Sequence, residues 1–281
     1  MNNKDKKITE NAASAVQDPV KEAAVQGEET AATIGKKRSF SMTEAHKRLR
    51  TNVMFSFAEE NVCRIIGVTS AMAHEGKSTT SINLAYDLMK AGKKVLLIDA
   101  DMRLSRIAKL LDVVRAPGLS NMLVGKNNGE NLVQHSALHD GLPVIPCGDI
   151  PPNPTELLSS KRLGIMLDAL KKVYEYIIID LPPIAEVSDA LIVSKLADGM
   201  IVVVRQGFVD KRLLDDAVHQ LRLSEARIIG FVMTCAQYES KYGKYKYKKY
   251  KGKKYGYYNG YGYESRYGYY SSYAQNRPKE D

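Results

Sequence analysis

The chain has 281 residues, with 41 Lys and Arg against 32 Asp and Glu and a formal charge of +9. That length allows one or two domains, no apolar run approaches the ~20 residues of a membrane-spanning helix, and the polar N-terminus is no signal peptide. Cys63, Cys147 and Cys235 are odd in number, far apart and in apolar settings, which argues for buried, reduced thiols and against a disulfide framework or metal site.

Residues 1–40 are polar and poor in aromatics and read as a flexible leader. Ser41-Met-Thr-Glu44 has the capping-box pattern and places a helix from Met42 to about Ala58. Arg64 to Thr69 is a short β-rich run, followed by a loop and a helix from Lys77 to Ala91 that Gly92 stops. Unbroken apolar character makes residues 95–98 a buried strand. Short helices are expected at 105–112 and 119–124 and a strand at 143–146. A long helix is expected from Pro154 through Tyr174, with Leu158, Met166, Leu170 and Val173 on its core face. Strand 176–179, helix 187–197, strand 200–204, helix 210–223 and strand 227–233 complete the alternation. Strands alternating with helices mean an α/β domain, a mostly parallel sheet with helices on both faces.

Fourteen of the seventeen tyrosines fall between Tyr238 and Tyr273. From Tyr238 onward, nine Lys and two Arg face three Glu and one Asp, a net +7, so the basic balance belongs to this segment. With almost no aliphatic residues it cannot bury a core and is expected to be disordered. The domain reading is therefore a leader at 1–40, an α/β domain at 41–235 and a tail at 236–281.

Ala71-Met-Ala-His-Glu-Gly-Lys77-Ser78 fits the phosphate loop G-x-x-x-x-G-K-[ST], with Ala for the first Gly, between a strand and a helix as the mechanism requires. With this loop, the expected fold is that of a P-loop NTPase. Ala73, His74, Glu75, Gly76, Lys77, Ser78 and Thr79 are the expected ATP contacts. Backbone N–H groups cradle the phosphates, Lys77 neutralises them and the Ser78 hydroxyl binds Mg²⁺. Lys77 itself reads as an exposed charge. The strand at 95–98 runs into Asp99 and Asp101, whose i, i+2 spacing points both carboxylates to one side. The strand at 176–179 runs into Asp180, before Pro182-Pro183. Three strand-end aspartates beside a phosphate loop point to a magnesium shell with a base, with the carboxylates acting in part through water. Lys77, Asp99 and Asp101 are the expected catalytic residues. Asp99 is the candidate base or Mg²⁺ neighbour, and Ser78, Asp101 and Asp180 are the candidate Mg²⁺ shell; the sequence leaves the assignment among the aspartates open. Arg205, at a strand end, is a candidate for nucleotide or interface.

With these motifs the sequence resembles the bacterial tyrosine kinases that control capsule and exopolysaccharide synthesis. The likeness covers about residues 41–235 plus the tail. It is carried by the phosphate loop, Asp99-Ala-Asp101, Ile179-Asp180-Leu-Pro-Pro183, Pro151-Pro-Asn-Pro-Thr-Glu-Leu-Leu158, Val187-Ser-Asp-Ala190 and Val203-Val-Arg205. The resemblance implies Mg-ATP-dependent phosphorylation of the chain's own tyrosine cluster and control of polysaccharide synthesis and export. Tyr255, Tyr257, Tyr258, Tyr261, Tyr263, Tyr267, Tyr269, Tyr270 and Tyr273 are the expected acceptors. It also implies the split form of the family, a cytoplasmic kinase brought to the membrane by a separate membrane activator or chain-length regulator. A cognate tyrosine phosphatase and a homo-oligomeric ring, with Glu44, Lys47 and Arg50 as interface residues, complete the implied partners. Three departures stand out: Ala73-His74 replaces the usual Pro-Gly, Lys47 replaces an Arg of Glu-x-x-Arg-x-x-Arg, and Leu104-Ser105 replaces Arg-Pro.

A phenol of pKa about 10 is neutral at working pH and needs a base, while phosphoryl transfer otherwise asks for alignment and charge neutralisation. As a flexible coil, the tail spans roughly 35 Å, enough to reach a neighbouring subunit's site. Two other readings compete. Partition-type ATPases carry a second Lys just after the first loop residue, where this chain has Met72. Lys interleaved with Tyr also suits nucleic acid but leaves the three aspartates unexplained, so no specific nucleic acid is expected.

Overall fold

The computed structural model describes residues 40–57, 59, 62–126, 129 and 131–236. The expected leader and tail lie outside the described residues, apart from Phe40 and Ala236. The strands are β1 (Arg64–Ser70), β2 (Val95–Asp99), β3 (Gln134–Ser136), β4 (Leu142–Ile145), β5 (Tyr176–Asp180), β6 (Gly199–Arg205) and β7 (Ile228–Thr234). They form one sheet in the order β3-β4-β2-β5-β1-β6-β7. Every pairing is parallel except β3 with β4. The central strands carry apolar residues on both sides before their polar ends, because helices cover both faces. All of β2 is buried.

Alternation along each strand divides the core in two. Leu96, Ile98, Ile177 and Ile179 face a core that also holds Leu163, Met166, Leu170 and Leu221. Val95, Leu97, Ile66 and Ile178 face the other, with Val53, Ile82 and Leu88. The helices supplying these layers are α1 (Phe40–Phe55), α2 (Lys77–Lys90), α3 (Ile107–Leu111), α4 (Leu119–Val124), α5 (Pro154–Leu158), α6 (Lys161–Leu170), α7 (Asp189–Ser194) and α8 (Lys211–Leu223).

Four expectations are corrected. Ser41 and Glu44 sit inside α1, which already includes Phe40, so they form no capping box at its start. The long helix expected from Pro154 to Tyr174 is two helices, broken where Ser160 turns extended at φ −70°, ψ 147°. The short antiparallel β3 was not foreseen. Among the cysteines, Cys147 is buried, but Cys63 is half-buried and Cys235 is exposed.

Candidate active site

The sheet places the site at the carboxyl ends of β1, β2 and β5, the ligand-binding edge of open α/β sheets. After β1 the chain turns tightly and enters α2 at Lys77. The turn needs left-handed backbone at two points, His74 (φ 64°) and Gly76 (φ 93°). A Cβ on Gly76 would also stand 3.3 Å from Cγ2 of Thr234. His74 thus adopts, at an energetic cost, a conformation natural to glycine.

Glu75 braces the turn from within. It is fully buried. Its Oε1 accepts from the Met72 N–H (2.7 Å) and its Oε2 from the Arg205 N–H (3.0 Å), and its carbonyl accepts from the Thr234 hydroxyl (2.7 Å). Of the expected ATP contacts, Glu75 therefore faces the protein. Ala73 and His74 line the outer turn, and Ser78 and Thr79 stand in the first turn of α2, half-buried. No side chain caps α2, which leaves its first N–H groups to an anion.

Asp99 and Asp180 are register partners on adjacent strands, and with Asp101 they form a cluster in which every residue is at most 2% exposed. Lys77 Nζ reaches Asp101 Oδ2 at 3.0 Å, with only 12% of its side chain exposed. It is an ion-paired member of the cluster and not the exposed charge expected. Asp101 Oδ1 also accepts from the Leu104 N–H (2.9 Å). Asp180 Oδ1 accepts from the Ser81 hydroxyl (2.9 Å). Asp99 Oδ2 accepts from the Ser105 hydroxyl (2.6 Å). Burial, then the neighbouring Asp180 charge, pushes Asp99 up to about 8. Burial raises Asp180 to about 6 against the opposing pull of Lys77 and the Ser78 and Ser81 hydroxyls. A carboxyl held in this range can take up and release a proton at working pH.

A second cluster adjoins the first, and only the fold assembles it. Arg103 Nε and Nη2 donate to the two oxygens of Asp189 (3.1 and 3.4 Å), and Nη2 also donates to the Thr155 hydroxyl (3.0 Å). That hydroxyl donates to Asp189 (2.6 Å), which is fully buried. The turn after Asp101 is thereby tied to α5 and α7. The Ser105 and Arg103 contacts carry most of what the sequence missed. Their signal lay in Arg103-Leu-Ser105 following Asp101 so closely.

A family model described as an AAA domain matches residues 63–222. Tyrosine-protein kinase CpsD of Streptococcus agalactiae is 38% identical over 202 residues, covering 70% of this chain and 84% of that protein. The kinase domain of Escherichia coli tyrosine kinase ETK superposes with a TM-score of 0.65 at 32% identity, covering 73% of this chain and 81% of that one. This chain belongs to the capsule-type bacterial tyrosine kinases. The chimerical protein CapA2B2 is also similar, with a TM-score of 0.66 at 28% identity over 73% of this chain and 90% of that one.

In this tyrosine kinase, Arg205 lies against the phosphate loop. Its Nη1 donates to the His74 carbonyl (3.4 Å) and its guanidinium stacks 5.0 Å from the Phe208 ring centroid. The three expected interface residues are not equivalent. Glu44 and Lys47 pair with each other at 2.8 Å with side chains 35% and 51% exposed, whereas Arg50 turns inward to the Asp87 carbonyl of α2 (3.5 Å).

Proposed function

We propose that this kinase transfers the γ-phosphate of Mg-ATP to the tyrosine cluster at its own C-terminus, in trans between copies, and thereby regulates capsular or extracellular polysaccharide synthesis and export. The observation that carries the reading is the buried aspartate cluster facing Lys77 at the end of the phosphate loop. Three buried carboxyl groups gathered around one ammonium fit a site built for a divalent cation and phosphates, because a buried carboxyl that ionises there needs a counter-charge.

Ser78, Asp101 and Asp180 are the residues that would hold Mg²⁺, in part through water. When bound, the ion offsets charge on the transferring phosphoryl group. The loop N–H groups and Lys77 bind the β- and γ-phosphates, and Ala73, His74, Gly76, Thr79 and Arg205 frame the nucleotide. The tyrosine oxygen forms a bond to the γ-phosphorus as the bond to the bridging oxygen of ADP breaks. The phenolic proton passes to a carboxylate oxygen of Asp99, which Ser105 holds in place. The acceptors are the tail tyrosines Tyr255, Tyr257, Tyr258, Tyr261, Tyr263, Tyr267, Tyr269, Tyr270 and Tyr273.

Among the described residues, no helix is long and apolar enough to cross a membrane, and the family resemblance supplies the partners: a membrane-bound activator that recruits the kinase to the inner face of the membrane, and a cognate tyrosine phosphatase. The test is direct. Purified protein incubated with Mg-ATP, with and without residues 238–281, is probed for phosphotyrosine in the presence of the activator's cytoplasmic segment. Signal in the full chain and little in the truncated one is expected. No signal in either, with activator present, overturns the proposal.

A further inference from the structure

A groove of about 600 Å³ opens where the N-terminal end of α6 meets α7 and the C-terminal end of α8. None of its lining residues belongs to the phosphate loop or the aspartate cluster. Leu158, Leu191, Leu196 and Leu223 supply apolar lining, Lys161 and Lys195 supply charge, and no acidic side chain lines it. Neither lysine makes an ion pair among the described residues. Leu223 is 65% exposed and Leu196 37%, whereas Leu158 is buried at the base, so part of the apolar lining is open to a ligand.

Two further features belong to the groove's α6 wall. Gly164 lies inside α6, and a Cβ there would meet nothing within 4 Å. Glycine inside a helix costs about 1 kcal/mol relative to alanine, and no neighbour within the domain requires it. Its effect is to keep one wall of the groove low. Ser160, at the start of α6, makes no capping bond, and its Oγ is buried without a partner among the described residues.

We propose that this groove binds the phosphotyrosyl group of a peptide, the product class of the reaction proposed above, on which this assignment rests. An aryl phosphate joins an apolar ring to about −1.5 to −2 charges, which matches leucine walls carrying two ammonium groups that no described carboxylate answers. A lone carboxylate answers one lysine, and an unmodified tyrosine answers neither. Charge-assisted contacts to phosphate are about twice as strong as neutral ones, so the modified form is selected. Binding there holds a finished tyrosine on the kinase and away from the transfer site.

The test uses the full-length chain, treated with a tyrosine phosphatase and kept free of nucleotide. It is titrated with a synthetic peptide of residues 261–273 phosphorylated at Tyr267, with the unphosphorylated peptide, and with one carrying Tyr267→Glu. The phosphopeptide binds at least about tenfold more tightly than either control, as two charge-assisted contacts allow. Lys161→Glu/Lys195→Glu removes that preference, and Lys161→Gln/Lys195→Gln reduces it, with unchanged melting temperature in both. Equal affinity for the three peptides, or a preference that survives the double reversal, overturns the assignment. Because the phosphate is installed chemically and no ATP is present, failure here leaves the kinase reading standing, and failure of the phosphotyrosine assay leaves this binding result intact.

Discussion

Lys77 is the residue on which the site's electrostatics turn, since it is the cation paired with Asp101 inside a buried acidic cluster. Lys77→Met should lower autophosphorylation by at least about 100-fold, the order seen when one preorganised charge-stabilising group is removed. The domain should stay folded, because Met keeps most of the length and volume of the Lys77 stem, and unchanged far-UV circular dichroism checks this. Arg103 makes a different demand. Its guanidinium satisfies the fully buried Asp189 through two nitrogens, a geometry lysine cannot reproduce. Arg103→Ala and Arg103→Lys should both destabilise the domain, the former by about 2–3 kcal/mol in urea unfolding, somewhat below the cost of breaking a wholly buried pair. The cysteines give a third test. Burial pushes the Cys63 thiol up to about 11 and also raises Cys147, while Cys235 is exposed. Because the thiolate is the reactive form, iodoacetamide at neutral pH should modify Cys235 in the native protein and the other two only after denaturation. Mass spectrometry reads the difference.

At the scale of elements, the phosphate loop is held less by its own sequence than by two strands that follow it much later. Glu75 joins the loop to the end of β6 through the Arg205 N–H and to β7 through the Thr234 hydroxyl. Gly76→Ala must therefore absorb left-handed strain of about 1–2 kcal/mol while pressing on Thr234, and it should weaken nucleotide binding more than it lowers the melting temperature. Calorimetric titration with ADP compares the two. This dependence also explains what the sequence could reveal. Apolar runs ending in Asp99 and Asp180, and a Gly-Lys-Ser turn before a helix, are local signals, and they located the sheet's centre and the acidic cluster. Glu75 gave no sign of facing inward, because two of its three partners lie 130 and 159 positions away. Arg103 and Asp189 are separated by 86 positions and meet only once α7 has packed. The antiparallel β3 is three residues long and carries Gln134 and His135, so it had neither apolar character nor alternation to betray it. The break between α5 and α6 had a faint signal in Ser159-Ser160, whose hydroxyls compete with helical backbone bonds, but the continuing apolar periodicity outweighed it.

For the whole molecule the governing quantity is the +7 carried from Tyr238 onward. Each phosphotyrosine adds about −1.5 to −2 charges, so four of them supply roughly −6 to −8 and cancel it. A segment that is cationic before the reaction and neutral or anionic after it changes how copies of the chain attract one another, since a cationic substrate is drawn to an acidic site and an anionic product is repelled by bound nucleotide. Phosphorylation should therefore dissociate an assembly that the unmodified chain forms. The candidate contact is the outer face of α1, where exposed Lys47 pairs with half-buried Glu44; Arg50 is committed to α2 and should matter to the fold of its own subunit. An exposed i, i+3 pair contributes only about 0.2–0.5 kcal/mol within a helix, so Glu44→Ala/Lys47→Ala should leave the melting temperature unchanged. A large loss of association in that variant then reports a contact between subunits and not a folding defect. Arg50→Ala should lower the melting temperature. Light scattering with Mg²⁺ and the activator segment present is the measurement. Lys77→Met protein, which cannot modify itself, should be larger than phosphorylated wild type, and Glu44→Ala/Lys47→Ala should be monomeric in either state. Equal masses for phosphorylated and unphosphorylated wild type would exclude the charge switch, and an assembly that survives Glu44→Ala/Lys47→Ala would move the contact off α1.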